Sequence, residues 1–185
     1  MKGWFFMFEG YKFDENGKKL IQVETNFSFL SSGGSMYFQI CENGNNYIAY
    51  WRTEPEKYKR GEFMCKAVCL FPECMPLSEL AKTKEYKELL QKYSPVYSAV
   101  LNEKQKNIID TFLKKGINED VHKPCGRDGH SYCIEVYCPE YRKYNWCMLP
   151  EEWTILADVI NMLVDISQAD FQKYGCSVYK LKGVK

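Results

Sequence analysis

An α+β fold, with a twisted and largely antiparallel sheet and a buried helix packed across one face, is what this sequence predicts. Three observations carry that expectation. Residues 1–71 hold several short stretches of alternating apolar and polar residues separated by turn signals, the pattern of a β-meander. Residues 76–116 place their apolar residues at helical spacing. Residues 125–185 read as a hairpin, a helix apolar on most of its circumference, and a tail. No repeat, low-complexity tract or linker separates these parts, so residues 1–185 are expected to form a single α+β domain.

In the meander, residues 4–13 are rich in strand formers and run into the turn Asp14-Glu15-Asn16-Gly17. Over residues 20–30, Ile21, Val23 and Thr25 oppose Gln22, Glu24 and Asn26, and Ser31-Ser32-Gly33-Gly34 turns the chain. Met36, Phe38 and Ile40 then alternate with Tyr37, Gln39 and Cys41. Asn43-Gly44 predicts a tight type I′ hairpin, which needs two positive φ values, and residues 47–51 return. A polar loop over residues 52–62 leads to a fifth expected strand, residues 63–71, with Phe63, Cys65, Ala67, Cys69 and Phe71 on one face.

The middle segment predicts two helices. The first spans residues 79–93, with Leu80, Leu89, Leu90 and Tyr93 as apolar contacts, and stops at Ser94-Pro95 because a residue before proline avoids the helical region. The second spans residues 103–115. Asn102 caps it, Gln105 completes a capping box, and Ile108, Ile109, Phe112 and Leu113 form its buried stripe.

Beyond the turn Arg127-Asp128-Gly129, Tyr132, Ile134 and Val136 alternate with Cys133, Glu135 and Tyr137. Cys138-Pro139-Glu140 breaks the run, and residues 141–148 return with Tyr144 and Trp146 on one face. Pro150, Glu151 and Glu152 suit a helix start. Trp153, Leu156, Ala157, Ile160, Leu163 and Val164 then form one apolar stripe, and Ile155, Val159, Met162 and Ile166 a second. Only Asp158, Asn161 and Asp165 mark a polar edge, so this helix should be covered on two sides. It is too short and too interrupted to cross a membrane. Residues 176–181 are expected to add a last strand.

Composition limits the function classes. An apolar fraction of 45% supports a sizeable core and excludes general disorder. With 25 basic and 24 acidic residues, the net charge of +1 gives no bulk attraction to nucleic acid or anionic lipid. Nine cysteines are an odd number, and the five-residue apolar run after Gly3 is shorter than a secretion signal requires. The chain therefore reads as cytoplasmic, with cysteines reduced and used as small hydrophobes.

One cluster has metal-ligand residue types: His122, Cys125, His130 and Cys133. Zinc takes four nitrogen or sulfur ligands, but structural modules separate their ligand pairs by about a dozen residues, and these pairs are closer. Nucleophilic catalysis has little support, since only two histidines exist and no cysteine sits at a glycine-flanked turn before a helix. No phosphate-binding loop is visible. No catalytic residue and no cofactor follow, with zinc as the alternative. Aromatics are the remaining feature. Tyr137, Tyr141, Arg142 and Lys143 gather around the hairpin and combine the residue types that dominate protein interfaces.

Asp128-Gly129, Tyr132-x-Ile134-Glu135, the return strand to Trp146, Pro150 and the helix to Ile166 follow in a characteristic order. Over these roughly forty residues the chain resembles small uncharacterised bacterial α+β proteins of immunity- and defence-associated type. The resemblance implies a non-catalytic protein-binding module, such as an inhibitor or immunity-type partner of another bacterial or phage protein. It carries over no catalytic residues. The alternative is a zinc-stabilised module or small metal-dependent enzyme using the His/Cys cluster.

Overall fold

The computed structural model describes residues 13, 17–26, 35–53, 62, 63, 65–67, 69, 77–80, 82–115, 117, 131–147 and 149–173. Its centre is a six-stranded antiparallel sheet. The strands are β1 (Lys18–Asn26), β2 (Met36–Asn43), β3 (Asn46–Thr53), β4 (Tyr97–Val100), β5 (Ser131–Val136) and β6 (Arg142–Trp146). They lie side by side in the order β4-β3-β2-β1-β5-β6. The N-terminal meander and the C-terminal hairpin therefore meet where β1 pairs with β5.

Alternation decides the two faces. Ile21, Val23, Phe38, Ile40, Ala49, Trp51, Tyr132, Ile134, Val136, Tyr144 and Trp146 point to the inner face and are buried. Against them pack α3 (Glu103–Lys114) and α4 (Thr154–Lys173). Trp153, Leu156, Val159 and Leu163 have essentially no exposure, so both predicted stripes of α4 are covered, while Asp158 and Asp165 form its wet edge. Trp153 seals the hairpin end, meeting Tyr144 edge-on at 5.6 Å and Trp146 at 6.3 Å, while Tyr132 stacks on Trp146 at 5.3 Å. Such aromatic pairs each contribute about 0.5–1.5 kcal/mol beyond their buried area.

The outer face is divided. Over β2 and β3 it is covered by a second apolar cluster: Tyr37 of the sheet, Phe13, Phe63, Ala67, and Leu80, Tyr86, Leu90 and Tyr93 from α1 (Leu77–Leu80) and α2 (Lys84–Tyr93). Over β1, β5 and β6 the outward side chains, among them Gln22, Glu24, Glu135, Lys143 and Asn145, are polar.

Several expectations are corrected. The strand over residues 63–71 is not formed: residues 62, 63, 65–67 and 69 are helical. Phe63 and Ala67, four apart, are buried, while Cys65 and Cys69, also four apart, are exposed. Helical spacing wins there over the apparent alternation. The single helix over residues 79–93 is two helices, because the Thr83 hydroxyl accepts from the Tyr86 N–H and caps α2 afresh. Between β2 and β3 only Gly44 has positive φ, at 58°, so the turn has the II′ pattern with Gly44 first and Asn45 second. β4, a strand of four residues, is not among the elements that the sequence pattern predicts. Glu151–Trp153 forms a 3-10 turn before α4, with Pro150 as its cap residue. The capping box at Asn102 and Gln105 is present as expected. The expected strands over residues 4–13 and 176–181 fall outside the described residues, except for Phe13, which is not in a strand.

Candidate functional site

On the outer face of β5 and β6, Glu135 stands directly across from Lys143. The pairing is made: the Lys143 ammonium donates to Glu135 Oε1 at 2.8 Å. Tyr137, just past β5, donates its phenol proton to the other carboxylate oxygen at 2.6 Å. Both oxygens of Glu135 are thereby occupied. Partial burial alone would raise the pKa of Glu135, but the hydrogen bonds from Lys143 and Tyr137 outweigh it and hold the carboxyl below its ordinary value. Burial, then the Glu135 hydrogen bond, pushes the Tyr137 phenol well above the ordinary tyrosine value.

β1 completes the patch from more than a hundred residues upstream. Its register against β2 shifts between Lys19 and Ile21, so Leu20 is the extra residue of a β-bulge. Leu20 turns inward and is buried, and its carbonyl accepts from the Tyr137 N–H at 2.9 Å. That bond docks the end of β5 beside Lys19. The Lys19 ammonium consequently lies 4.9 Å from the Tyr137 ring centroid, a cation–π contact, and also donates to Gln22 at 3.3 Å. Gln22 faces Glu135 across the β1–β5 pairing, and its side-chain oxygen lies 3.3 Å from the Tyr137 hydroxyl.

Tyr141, in the β5–β6 connection, sets its ring edge-on to Tyr137 at 5.7 Å. Tyr137 is 36% exposed and Tyr141 60%. Among the described residues only one other large apolar side chain, Val100, is exposed. Two of those three therefore sit together, on a frame of charge-assisted hydrogen bonds that fixes one of them.

The structure brings Tyr137, Tyr141 and Lys143 together and removes Arg142 from the set. Arg142 pairs with Val136 and, by alternation, points to the inner face. Its guanidinium reaches the Leu113 carbonyl in the last turn of α3 at 3.4 Å, where a cation suits the negative end of the helix dipole. Lys19 and Gln22 are the members that sequence reasoning missed. Nothing local marks them, because the pairing of β1 with β5 and the bulge decide their position.

Of the proposed metal ligands, His122, Cys125 and His130 lie outside the described residues. Cys133 is on the outer face, half-buried, opposite Glu24 and Asn145. Burial pushes its thiol up to about 11, reinforced by Glu135 and Glu24 against the opposing effect of Lys143. At neutral pH it is a thiol rather than a thiolate. No helix among the described residues is long and apolar enough to cross a membrane. Comparison with family models, curated proteins and solved structures finds no match to this chain, so the reading of the patch rests on its own geometry.

Proposed function

We propose that this chain is a non-catalytic protein-binding module whose docking surface is the outer-face patch of Tyr137, Tyr141 and Lys143. The observation that carries the reading is the exposure of two adjacent tyrosines over a carboxylate whose donors are already in place. Tyrosine supplies apolar area and a hydroxyl for little rotamer entropy, and such residues dominate the energetics of protein interfaces. A ring already held by Lys19, Glu135 and Tyr141 loses less freedom on docking, which favours association.

The same chemistry speaks against catalysis at this patch. Each oxygen of Glu135 already accepts from a donor and the carboxyl is held in its charged form, and the Cys133 thiol is far from a nucleophile's pKa. Cys65, Cys69, Cys133 and Cys138 carry free thiols, as a reducing, cytoplasmic setting would keep them. An inhibitor or immunity-type role, in which a small protein occludes another, fits a binding patch of this kind.

The test is quantitative affinity enrichment with tagged wild type, Tyr141→Ala and Lys84→Ala, the last an exposed lysine on α2 and away from the patch. A specific partner should be retained by wild type and Lys84→Ala and lost by Tyr141→Ala at unchanged melting temperature. Equal retention by all three removes the patch as the docking surface.

A further inference from the structure

The third exposed apolar residue, Val100, lies on β4 at the opposite end of the sheet. The two edges of the sheet are built differently. β6 carries Arg142 and Lys143, and charge on an edge strand discourages pairing with another strand. β4 reads Tyr-Ser-Ala-Val, and residues 93–102 contain no charged side chain in a chain that is 26% charged. Val100 is 61% exposed there. An edge left bare in this way is a template for strand addition.

The hydrogen bonding shows which groups the edge offers. The Leu101 N–H donates to the Tyr47 carbonyl at 2.8 Å, which continues the register Ile48↔Val100, Ala49↔Ala99, Tyr50↔Ser98. Hydrogen-bonded and non-hydrogen-bonded pairs alternate along an antiparallel ladder. Leu101 and Ala99 therefore bond β3, while Ser98 and Val100 turn their N–H and C=O groups away from it, toward the edge.

We propose that this edge joins two copies of the chain, β4 pairing antiparallel with the partner's β4 about a two-fold axis at Ala99. In that register Ser98 faces the partner's Val100, and each outward N–H meets an outward C=O. Ala99 then meets the partner's Ala99 at a non-hydrogen-bonded position, where Cα atoms approach to about 4.5 Å and two methyl groups meet without a clash. A shift of one residue would set the inner face of one sheet against the outer face of the other, so it is excluded. A shift of two centres the pairing on Ser98 and sets Val100 opposite the partner's Val96, which precedes the strand, so hydrogen bonds are lost. No like charges oppose each other in the favoured register, and Val100 is covered. Because the edge is four residues long, the dimer should dissociate on dilution. The proposal is independent of the tyrosine patch, which lies at the other end of the sheet.

The test is sedimentation equilibrium of the full chain from micromolar to millimolar concentration, with Val100→Lys and Val100→Pro beside wild type. Proline is compatible with β4 at this position because the Val100 N–H is not used by β3. Wild type should move from the mass of one chain to that of two, and both variants should remain at one. Amide exchange of wild type should slow at Ser98 and Val100 as concentration rises, a readout that decides the matter even if a variant fails to fold. A wild type of single-chain mass throughout overturns the proposal. So does a dimer that survives in both variants, or exchange at Ser98 and Val100 that is insensitive to concentration.

Discussion

The Tyr137 hydroxyl donates to the Glu135 carboxylate across 2.6 Å on the outer face of the sheet. The bond from the Tyr137 N–H to the Leu20 carbonyl carries the β1–β5 ladder one residue past β5, and residues two apart along an extended strand share a face, which sets the two side chains together. It ties an exposed ring to a charge that Lys143 already balances. Burying an ion pair without full hydrogen bonding is costly, and here both carboxylate oxygens have donors.

That contact has a pH signature. The folded pKa of Glu135 is lowered, so its contribution to stability is present above the unfolded carboxylate value and is lost as pH falls through the folded one. Wild type should melt above Glu135→Gln near neutrality, and the two should converge in acid below the ordinary carboxylate range. A difference that stays constant through that range would uncouple the carboxylate from the fold. Tyr137 acts with the opposite sign: its raised pKa favours the fold below the ordinary tyrosine value and is lost as pH rises through the folded one.

Core packing sets the largest single effects. Ile160 on α4 is 1% exposed, within the cluster formed with β1, β5 and β6. Ile160→Ala should cost about 2–5 kcal/mol in chemical denaturation, as a cavity that close packing cannot refill. A denaturation curve matching wild type would show that α4 is not covered on both sides.

The cysteines should react in a defined order. Cys65 and Cys69 are exposed, Cys133 is half-buried with a raised pKa, and Cys41 is 1% exposed. Native labelling with an alkylating reagent, read peptide by peptide, should modify Cys65 and Cys69 first, Cys133 slowly, and Cys41 only on unfolding. Early modification of Cys41 would contradict the burial of the outer face at β2.

Where a residue's neighbours are local, the sequence was legible. The alternation of Tyr132, Ile134 and Val136, the capping box at Asn102 and the double stripe of α4 are all set within a few residues, and all appear as expected. Errors arose where tertiary contacts arbitrate. Phe63, Cys65, Ala67 and Cys69 fit both a period of two and a helix, and burial of Phe63 and Ala67 against Tyr86 and Tyr93 settled the choice. β4 is four residues long and exists because β3 offers it a ladder. The site was half legible. Tyr137, Tyr141 and Lys143 cluster in sequence, whereas Lys19 and Gln22 arrive through β1 pairing, and Arg142 leaves because its position in β6 points it inward.

The central claim is that the exposed tyrosines form a docking surface rather than a stabilising decoration of the hairpin. The most direct measurement is the affinity of the purified partner for wild type and for Tyr141→Ala, the more exposed of the two tyrosines, with the melting temperature of each recorded alongside. Loss of this interface tyrosine should weaken binding at least about tenfold, equivalent to about 1.4 kcal/mol, with little change in melting temperature. Equal affinity, or a variant whose loss of binding is matched by loss of fold, would contradict it.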